Sequence, residues 1–175
     1  MTTDTETRTP VQRAAVEAVE HFSWNTRDDG STYWSTDLTA DPEHWITRLC
    51  MDAHGDMLPY DERYRFIVRA LNDIADAEDI DDARDAIEAD VYTHDLLRWL
   101  ASSLDRICYV DEAVSEYGAE SFSDDMPRSG FDLTKAIAMG QIAERTEVFD
   151  SVLSSLEARA EDFADEDEGG DDGDA

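Results

Sequence analysis

The stretch from Val91 to Gly118 repeats apolar side chains at helical spacing, and this period constrains the fold more than any other feature of the chain. The repeated positions lie three or four residues apart, as on the buried face of an α-helix: Leu97, Leu100, Leu104, Ile107 and Val114, with Leu96 and Trp99 beside them. Thr93 is placed to cap the start of this helix, and Gly118 is placed to end it. The period therefore predicts a long helix buried at the centre of a helical domain.

Helical period recurs elsewhere along the chain, which predicts a mainly α fold: a compact bundle of about five to six helices around the long central helix. Thr9 and Pro10 form a start signal for the first helix, since threonine can cap and proline fits the first turn. Asp132 is placed to cap a last helix that runs from about residue 133 to 160. Its apolar positions cover much of the circumference, which predicts contact with more than one neighbour: Leu133, Ile137, Gly140, Ile142, Val148, Phe149, Val152, Leu153 and Leu156.

Aromatic residues flank an aspartate–glycine turn signal at 29–30, between the first two predicted helices. The pattern indicates either a small β-hairpin near residues 22–36 or a loop anchored by its rings. Trp24, Tyr33 and Trp34 are candidate partner-binding residues, because aromatic side chains are enriched at protein interfaces. The same three rings could instead close one end of a small core.

The sequence shows no internal repeat and no change of composition that would mark a domain boundary, so it predicts one helical domain over residues 9–160. Residues 1–8 are polar and are expected to be disordered. Residues 161–175 are acidic and glycine-rich, which predicts a disordered solubilising tail. We find no signal peptide and no apolar run of the roughly 20 residues that a membrane span requires. We therefore expect a cytoplasmic protein without membrane contact.

The chain carries a formal net charge of −30, from 44 acidic and 14 basic residues, and Lys135 is its single lysine. Such a composition is typical of a salt-adapted, haloarchaeal-type protein, because at 1 M salt the Debye length is only about 3 Å and self-repulsion is screened. The sharper alternative is an acidic surface directed at a partner, as in a DNA mimic that inhibits a nucleic-acid-binding protein. Direct binding to nucleic acid is not expected, since there is no basic stripe to contact phosphates.

One stretch has the residue types of a zinc site. His44, Cys50 and His54 fall in one predicted helix, and the last two lie four residues apart on one face. A structural zinc ion takes four ligands, typically as two spaced pairs, and no second pair accompanies these residues. We therefore predict no metal and no cofactor, with Cys50 in the core and the histidines at helix ends.

Acidic residues on the two long helices offer a different chemistry. Asp111 and Glu116 lie on the central helix, and Glu144 and Glu147 lie on the last one. All-α nucleoside triphosphate pyrophosphohydrolases hold magnesium between helices with such carboxylates. Asp111 falls on the apolar stripe of its helix, which makes it the most unusual of the four. Yet 44 of the 175 residues are acidic, so pairs at helical spacing also arise by chance, and no basic cluster is placed to receive a triphosphate.

Two stretches, DLLRWLASSLDRICYVDEAVSEYG and DLTKAIAMGQIAERTEVFDSVLSSLE, carry a resemblance to known proteins. In them a helix that ends in Glu-Tyr-Gly precedes a helix containing alanine, glycine and glutamine. Over roughly residues 90–160 the chain resembles small helical proteins of unknown function carried by phages, archaeal viruses and plasmids. The resemblance implies a host-interaction or accessory role and supplies no active-site residue.

Together these observations predict a non-enzymatic protein that binds another protein in a salt-adapted cell, virus or plasmid. Two alternatives stay open: a magnesium-dependent pyrophosphohydrolase that uses the four carboxylates, and an acidic DNA mimic.

Overall fold

The computed structural model describes residues 8–36, 41, 43–53, 60–121, 124 and 126–168, without the side chains of 60–62, 119 and 164–168. Six α-helices and one antiparallel strand pair form within these residues. They are α1 (Pro10–Val19), β1 (Phe22–Thr26), β2 (Thr32–Thr36), α2 (Trp45–Asp52), α3 (Tyr60–Asp76), α4 (Ile80–Asp90), α5 (Leu96–Tyr117) and α6 (Gly130–Glu168). The predicted mainly α class is confirmed, and so is the small hairpin.

Helix α1 begins at the predicted signal. The Thr9 hydroxyl accepts a hydrogen bond from the Gln12 N–H at 3.2 Å, and the Gln12 side chain accepts from the Thr9 N–H at 2.9 Å. This reciprocal capping box satisfies two N–H groups that the first turn leaves without helical partners. The Gln12 amide also donates to the Ala77 carbonyl at 2.7 Å, which ties α1 to the end of α3.

The chain divides into two compact units, which we call the first unit (Met1–Arg84 with Glu144–Ala175) and the second unit (Asp85–Ala143). The core of the first unit comes from α1, α2, α3 and the second half of α6. Its largest fully buried side chains are Ile46, Leu49, Ile67, Leu71, Ile74, Val148, Phe149, Val152 and Leu156. Of the apolar positions predicted on the last helix, the five from Val148 to Leu156 are buried, whereas Leu133, Ile137 and Ile142 are half-buried and Gly140 is exposed. The single domain predicted over residues 9–160 stays a prediction.

The long helix predicted around Val91–Gly118 is present, but it starts earlier than expected. A π-helical turn, Val91–Asp95, joins α4 to α5, so helical backbone runs from Ile80 to Tyr117. Thr93 is therefore inside the helix, and its hydroxyl donates to the Ala89 carbonyl at 2.7 Å. The predicted cap at Thr93 is wrong because α4 leads straight into the stretch. Gly118, with φ +81°, ends the helix as predicted.

Burial of the α5 stripe differs from the sequence prediction. Leu97 is 65% exposed and Leu104 is 60% exposed, while Leu100 and Ile107 are half-buried. The expected burial of Leu97 and Leu104 is therefore wrong within one chain. Helical spacing marks these positions as one side of α5, but it does not determine whether residues of the same chain cover that side. Ser103 is buried, and its φ of −124° and ψ of 15° kink the helix.

Helix α6 begins three residues before the predicted start. The Ser129 hydroxyl accepts from the Asp132 N–H at 3.0 Å, so Ser129 provides the capping side chain that was assigned to Asp132. The helix continues to Glu168, and the first eight residues of the predicted tail are therefore helical. The remainder of that tail, and residues 1–7 of the predicted disordered start, lie outside the described residues.

Candidate functional site

The two tryptophans of the hairpin face each other across the strands. Trp24 on β1 pairs directly with Trp34 on β2, and residues paired in this way project from the same side of a sheet. Their ring centroids are 5.1 Å apart with the planes at 63°, which is the edge-to-face arrangement that aromatic quadrupoles favour. Trp24 is 54% exposed and Trp34 is half-buried. The hairpin thus presents an ordered aromatic pair to solvent.

Helix α3 fixes the hairpin at the end away from its turn. Phe22 is 7% exposed, and its ring centroid lies 6.0 Å from that of Tyr64 on α3. Strand β2 also contacts α3. A two-stranded hairpin is only marginally stable by itself in water, so the packing against α3 supplies the stability that the strand pair needs. The aromatic pair is therefore carried by a braced element of the first unit.

The turn of the hairpin follows the predicted aspartate–glycine signal. Gly30 has φ +82°, a conformation that glycine adopts without steric cost. The Asp29 carboxylate accepts from the Ser31 N–H at 2.8 Å. Hydrogen bonds from the Ser31 hydroxyl and then from its N–H hold the pKa of the Asp29 carboxyl below its ordinary value. This turn sets the strand register that brings the tryptophans together.

Tyr33 lies on the opposite face of the hairpin from the two tryptophans, because neighbouring residues of a strand alternate in direction. The Arg27 guanidinium sits 4.5 Å from the centroid of the Tyr33 ring, a cation–π contact. On the same face the Asn25 amide donates to the Ser35 hydroxyl at 2.8 Å. The three predicted partner-binding residues thus divide into a tryptophan pair and a tyrosine covered by arginine.

Asp111, the carboxylate on the apolar stripe of α5, has a structural partner. The Asp111 carboxylate accepts from the backbone N–H of Gly130, the first residue of α6, at 2.7 Å. It therefore satisfies an N–H at the start of α6, where negative charge also complements the helix dipole. Glu116 and Glu147 are exposed, and Glu144 is half-buried. Among the residues that the structure describes, no three His, Cys, Asp or Glu side chains are grouped to hold a metal ion.

Gly130 packs so closely against α5 that a side chain there would collide. A Cβ at this position would lie 2.4 Å from the Ile107 Cγ2 and 3.0 Å from the Ile107 carbonyl oxygen. We expect Gly130→Ala to lower the free energy of unfolding by about 1–3 kcal/mol, the usual cost of overpacking. Gly140, where a Cβ would meet nothing within 4 Å, provides the matched control. Gly140→Ala should stabilise the helix by up to about 1 kcal/mol in urea unfolding. Equal changes in the free energy of unfolding for Gly130→Ala and Gly140→Ala would contradict a close contact between Gly130 and α5.

Of the three residues considered for zinc, two have structural positions in α2. The His44 imidazole caps this helix, with its Nδ1 accepting from the Ile46 N–H at 3.3 Å. Cys50 is buried, and burial raises the pKa of its thiol to about 12, so it remains protonated and apolar. His54 lies outside the described residues. The Asp41–Pro42 pair in the sequence predicts an earlier start for this helix, because aspartate is a usual cap and histidine is not.

Sequence reasoning missed a cavity of about 320 Å³ in the first unit, between α2 and the end of α6. Its lining consists of Trp45, Arg48, Leu49, Asp52, Ser155, Ala158, Arg159 and Asp162. Its two arginines are already paired. Arg159 contacts Glu17 and Asp162 at 3.3 Å each, and Arg48 contacts Glu43 at 2.6 Å. An anionic ligand would have to displace these carboxylates, so the cavity offers it little attraction.

The comparisons with known proteins leave the family open. No family model, curated protein or solved structure matches this chain. The resemblance to viral and plasmid proteins therefore stays a prediction. Over the described part of the chain, no helix combines the length and the apolar character that crossing a membrane requires.

Proposed function

We propose that this chain is a non-enzymatic interaction or accessory protein of a salt-adapted cell, virus or plasmid, and that it binds another protein through Trp24 and Trp34. The observation that carries the proposal is the edge-to-face pair of the exposed Trp24 and the half-buried Trp34, on a hairpin that packs against α3. Tryptophan is among the residues most enriched at the energetic centres of protein interfaces.

The pair suits the ionic conditions that the composition indicates. Contacts between exposed charges weaken at molar salt, whereas the burial of apolar surface does not depend on Coulomb attraction. When a chain with a formal net charge of −30 binds another acidic protein, we therefore expect the contact to be aromatic rather than charged. Because the strand pairing already orders both rings, their burial would cost little further conformational entropy.

Asp111, the carboxylate that most favoured the pyrophosphohydrolase alternative, is engaged with the N-terminus of α6. That contact explains an acidic residue on an apolar stripe without invoking a metal. It supports a structural role for Asp111 and so lends weight to the binding function over the catalytic one.

The proposal predicts which substitutions abolish partner capture. Tagged protein would be cross-linked in a salt-adapted archaeal lysate at molar KCl, the captured protein purified, and its Kd measured. Trp24→Ala and Trp34→Ala should each weaken binding by at least about 30-fold, which corresponds to the roughly 2 kcal/mol of an interface hot spot.

Two variants serve as controls for this experiment. Tyr33→Ala alters the opposite face of the same hairpin, and Met51→Ala alters a side chain on α2 that is 62% exposed. Both should bind within about twofold of the unsubstituted protein, since substitutions outside the contact rarely matter. A partner that binds the tryptophan variants as tightly as it binds these controls would place the binding surface elsewhere.

A further inference from the structure

We infer that helix α5 docks antiparallel on α5 of a second copy of this chain. The docking surface is an exposed seam of four residues: Leu97, Ala101, Leu104 and Cys108. They follow one another at intervals of four, three and four, which is the spacing of a coiled-coil contact. Leu97 and Leu104 are 65% and 60% exposed, so the described part of the chain leaves most of the surface of the two largest members uncovered.

The second unit carries most of the large apolar side chains that are exposed among the described residues. Of the ten large apolar residues that are exposed among the described ones, eight lie in Asp85–Ala143. Only Val91 and Ala138 are buried apolar residues in the described part of that unit. Concentrated apolar exposure of this kind marks a surface that another protein covers.

The seam is complementary to itself when two copies run antiparallel. With the two-fold axis between Ser102 and Ser103, Leu97 faces Cys108 of the second copy, and Ala101 faces Leu104 of that copy. Each layer then joins a large side chain to a small one. In a two-fold interface every such contact occurs twice, so four layers form from four residues.

The charges that flank the seam select the same arrangement. Arg98 and Asp105 occupy equivalent positions, one residue after Leu97 and Leu104. The antiparallel pairing places Arg98 beside Asp105 of the second copy, and Asp105 beside Arg98 of that copy. Within its own chain, Arg98 reaches Asp95 at 3.9 Å and remains 65% exposed, which leaves the guanidinium accessible. Opposite charges thus meet across the two-fold axis.

Charge also favours a second copy over a basic partner. Residues 96–110 contain Arg98, Arg106 and Asp105 as their charged groups, although the whole chain has a formal net charge of −30. A basic partner would be drawn to the acidic surfaces instead, whereas two copies can meet only where repulsion is absent. The kink at Ser103 lies beside the proposed axis, so each limb of α5 packs on the opposite limb of the second copy.

The mass in solution tests the dimer. Sedimentation equilibrium in molar KCl should give twice the chain mass of 19.7 kDa. Leu104→Asp should yield the single-chain mass with unchanged helical circular dichroism, since the residue is exposed within the chain. Met51→Asp, at a residue 62% exposed in the first unit, should remain dimeric. A single-chain mass for the unsubstituted protein at millimolar concentration, or a dimer that persists in Leu104→Asp, would overturn the inference.

Disulfide formation tests the register. On air oxidation Leu97→Cys should form an intermolecular disulfide with Cys108 of the second copy, because the pairing brings these positions into one layer. Leu97→Cys combined with Cys108→Ser should then remain uncross-linked. Efficient cross-linking of that double variant would require the introduced thiol to meet its own equivalent in the second copy, which implies a parallel dimer and contradicts the antiparallel arrangement.

Discussion

Leu49→Ala is expected to lower the free energy of unfolding by about 2–5 kcal/mol, the usual cost of truncating a fully buried leucine. Leu49 has no solvent exposure, and it lies in the short helix α2 of the first unit. The substitution removes apolar contact and leaves a cavity that the neighbouring side chains only partly fill. Urea unfolding followed by circular dichroism in molar KCl measures this loss without changing the ionic strength.

Met51 offers a matched control in the same helix. It is 62% exposed, and alanine has at least as high a helix propensity, so Met51→Ala should change stability by less than about 0.5 kcal/mol. Equal losses at the two positions would mean that α2 does not turn its Leu49 face into the core.

Raising the KCl concentration should stabilise the protein strongly. Between about 0.1 M and 1 M salt the Debye length falls from about 10 Å to about 3 Å, which screens repulsion within a chain of formal net charge −30. We expect a gain on the order of 5 kcal/mol, which corresponds to a rise in Tm of roughly 10–20 °C for a chain of this size. Thermal unfolding in a KCl series measures it.

A charge-reduced variant separates screening from other effects of salt. Asp82, Asp85 and Glu88 are exposed on α4, and their combined replacement by Asn, Asn and Gln removes three negative charges. The variant should show a smaller rise in Tm across the same series, because less repulsion remains to be screened. A Tm that stays flat or falls with KCl in the unsubstituted protein would contradict salt adaptation.

The hydrophobic period predicted which residues lie on apolar helix faces. It could not show whether residues of the same chain bury those faces. The predicted apolar positions in the second half of α6 are buried within the chain, as Phe149 and Leu156 show. Leu97 and Leu104 have the same period and are exposed. Both outcomes are compatible with the sequence signal, since the inferred seam between two copies and a core within one copy need the same residue types.

Helix boundaries were less predictable than the helices. Thr93 has the chemistry of a cap, yet α4 continues into its stretch through a π-helical turn that no local signal marks. Asp132 and Ser129 can both cap a helix, and the structure uses Ser129. Such choices depend on competing contacts of similar energy, about 1 kcal/mol each.

The candidate site was predictable in its residues and not in its geometry. The turn signal and the aromatic residues in the sequence are sufficient to select Trp24, Tyr33 and Trp34 as candidate partner-binding residues. Only the register separates Tyr33 from the tryptophans, since a shift of one residue would reverse the faces. Asp111 likewise stood out on its stripe, but its partner, the Gly130 N–H, lies 19 residues further along the chain.

Hydroxyl-radical footprinting of the captured complex tests most directly whether a protein partner covers the tryptophan pair. Oxidation at Trp24 and Trp34 would be compared by mass spectrometry between the free protein and the cross-linked complex in molar KCl. We expect oxidation of Trp24, which is 54% exposed in the free chain, to fall severalfold in the complex, while Met51 stays equally reactive. Unchanged oxidation of Trp24 in a complex of confirmed stoichiometry would contradict the claim.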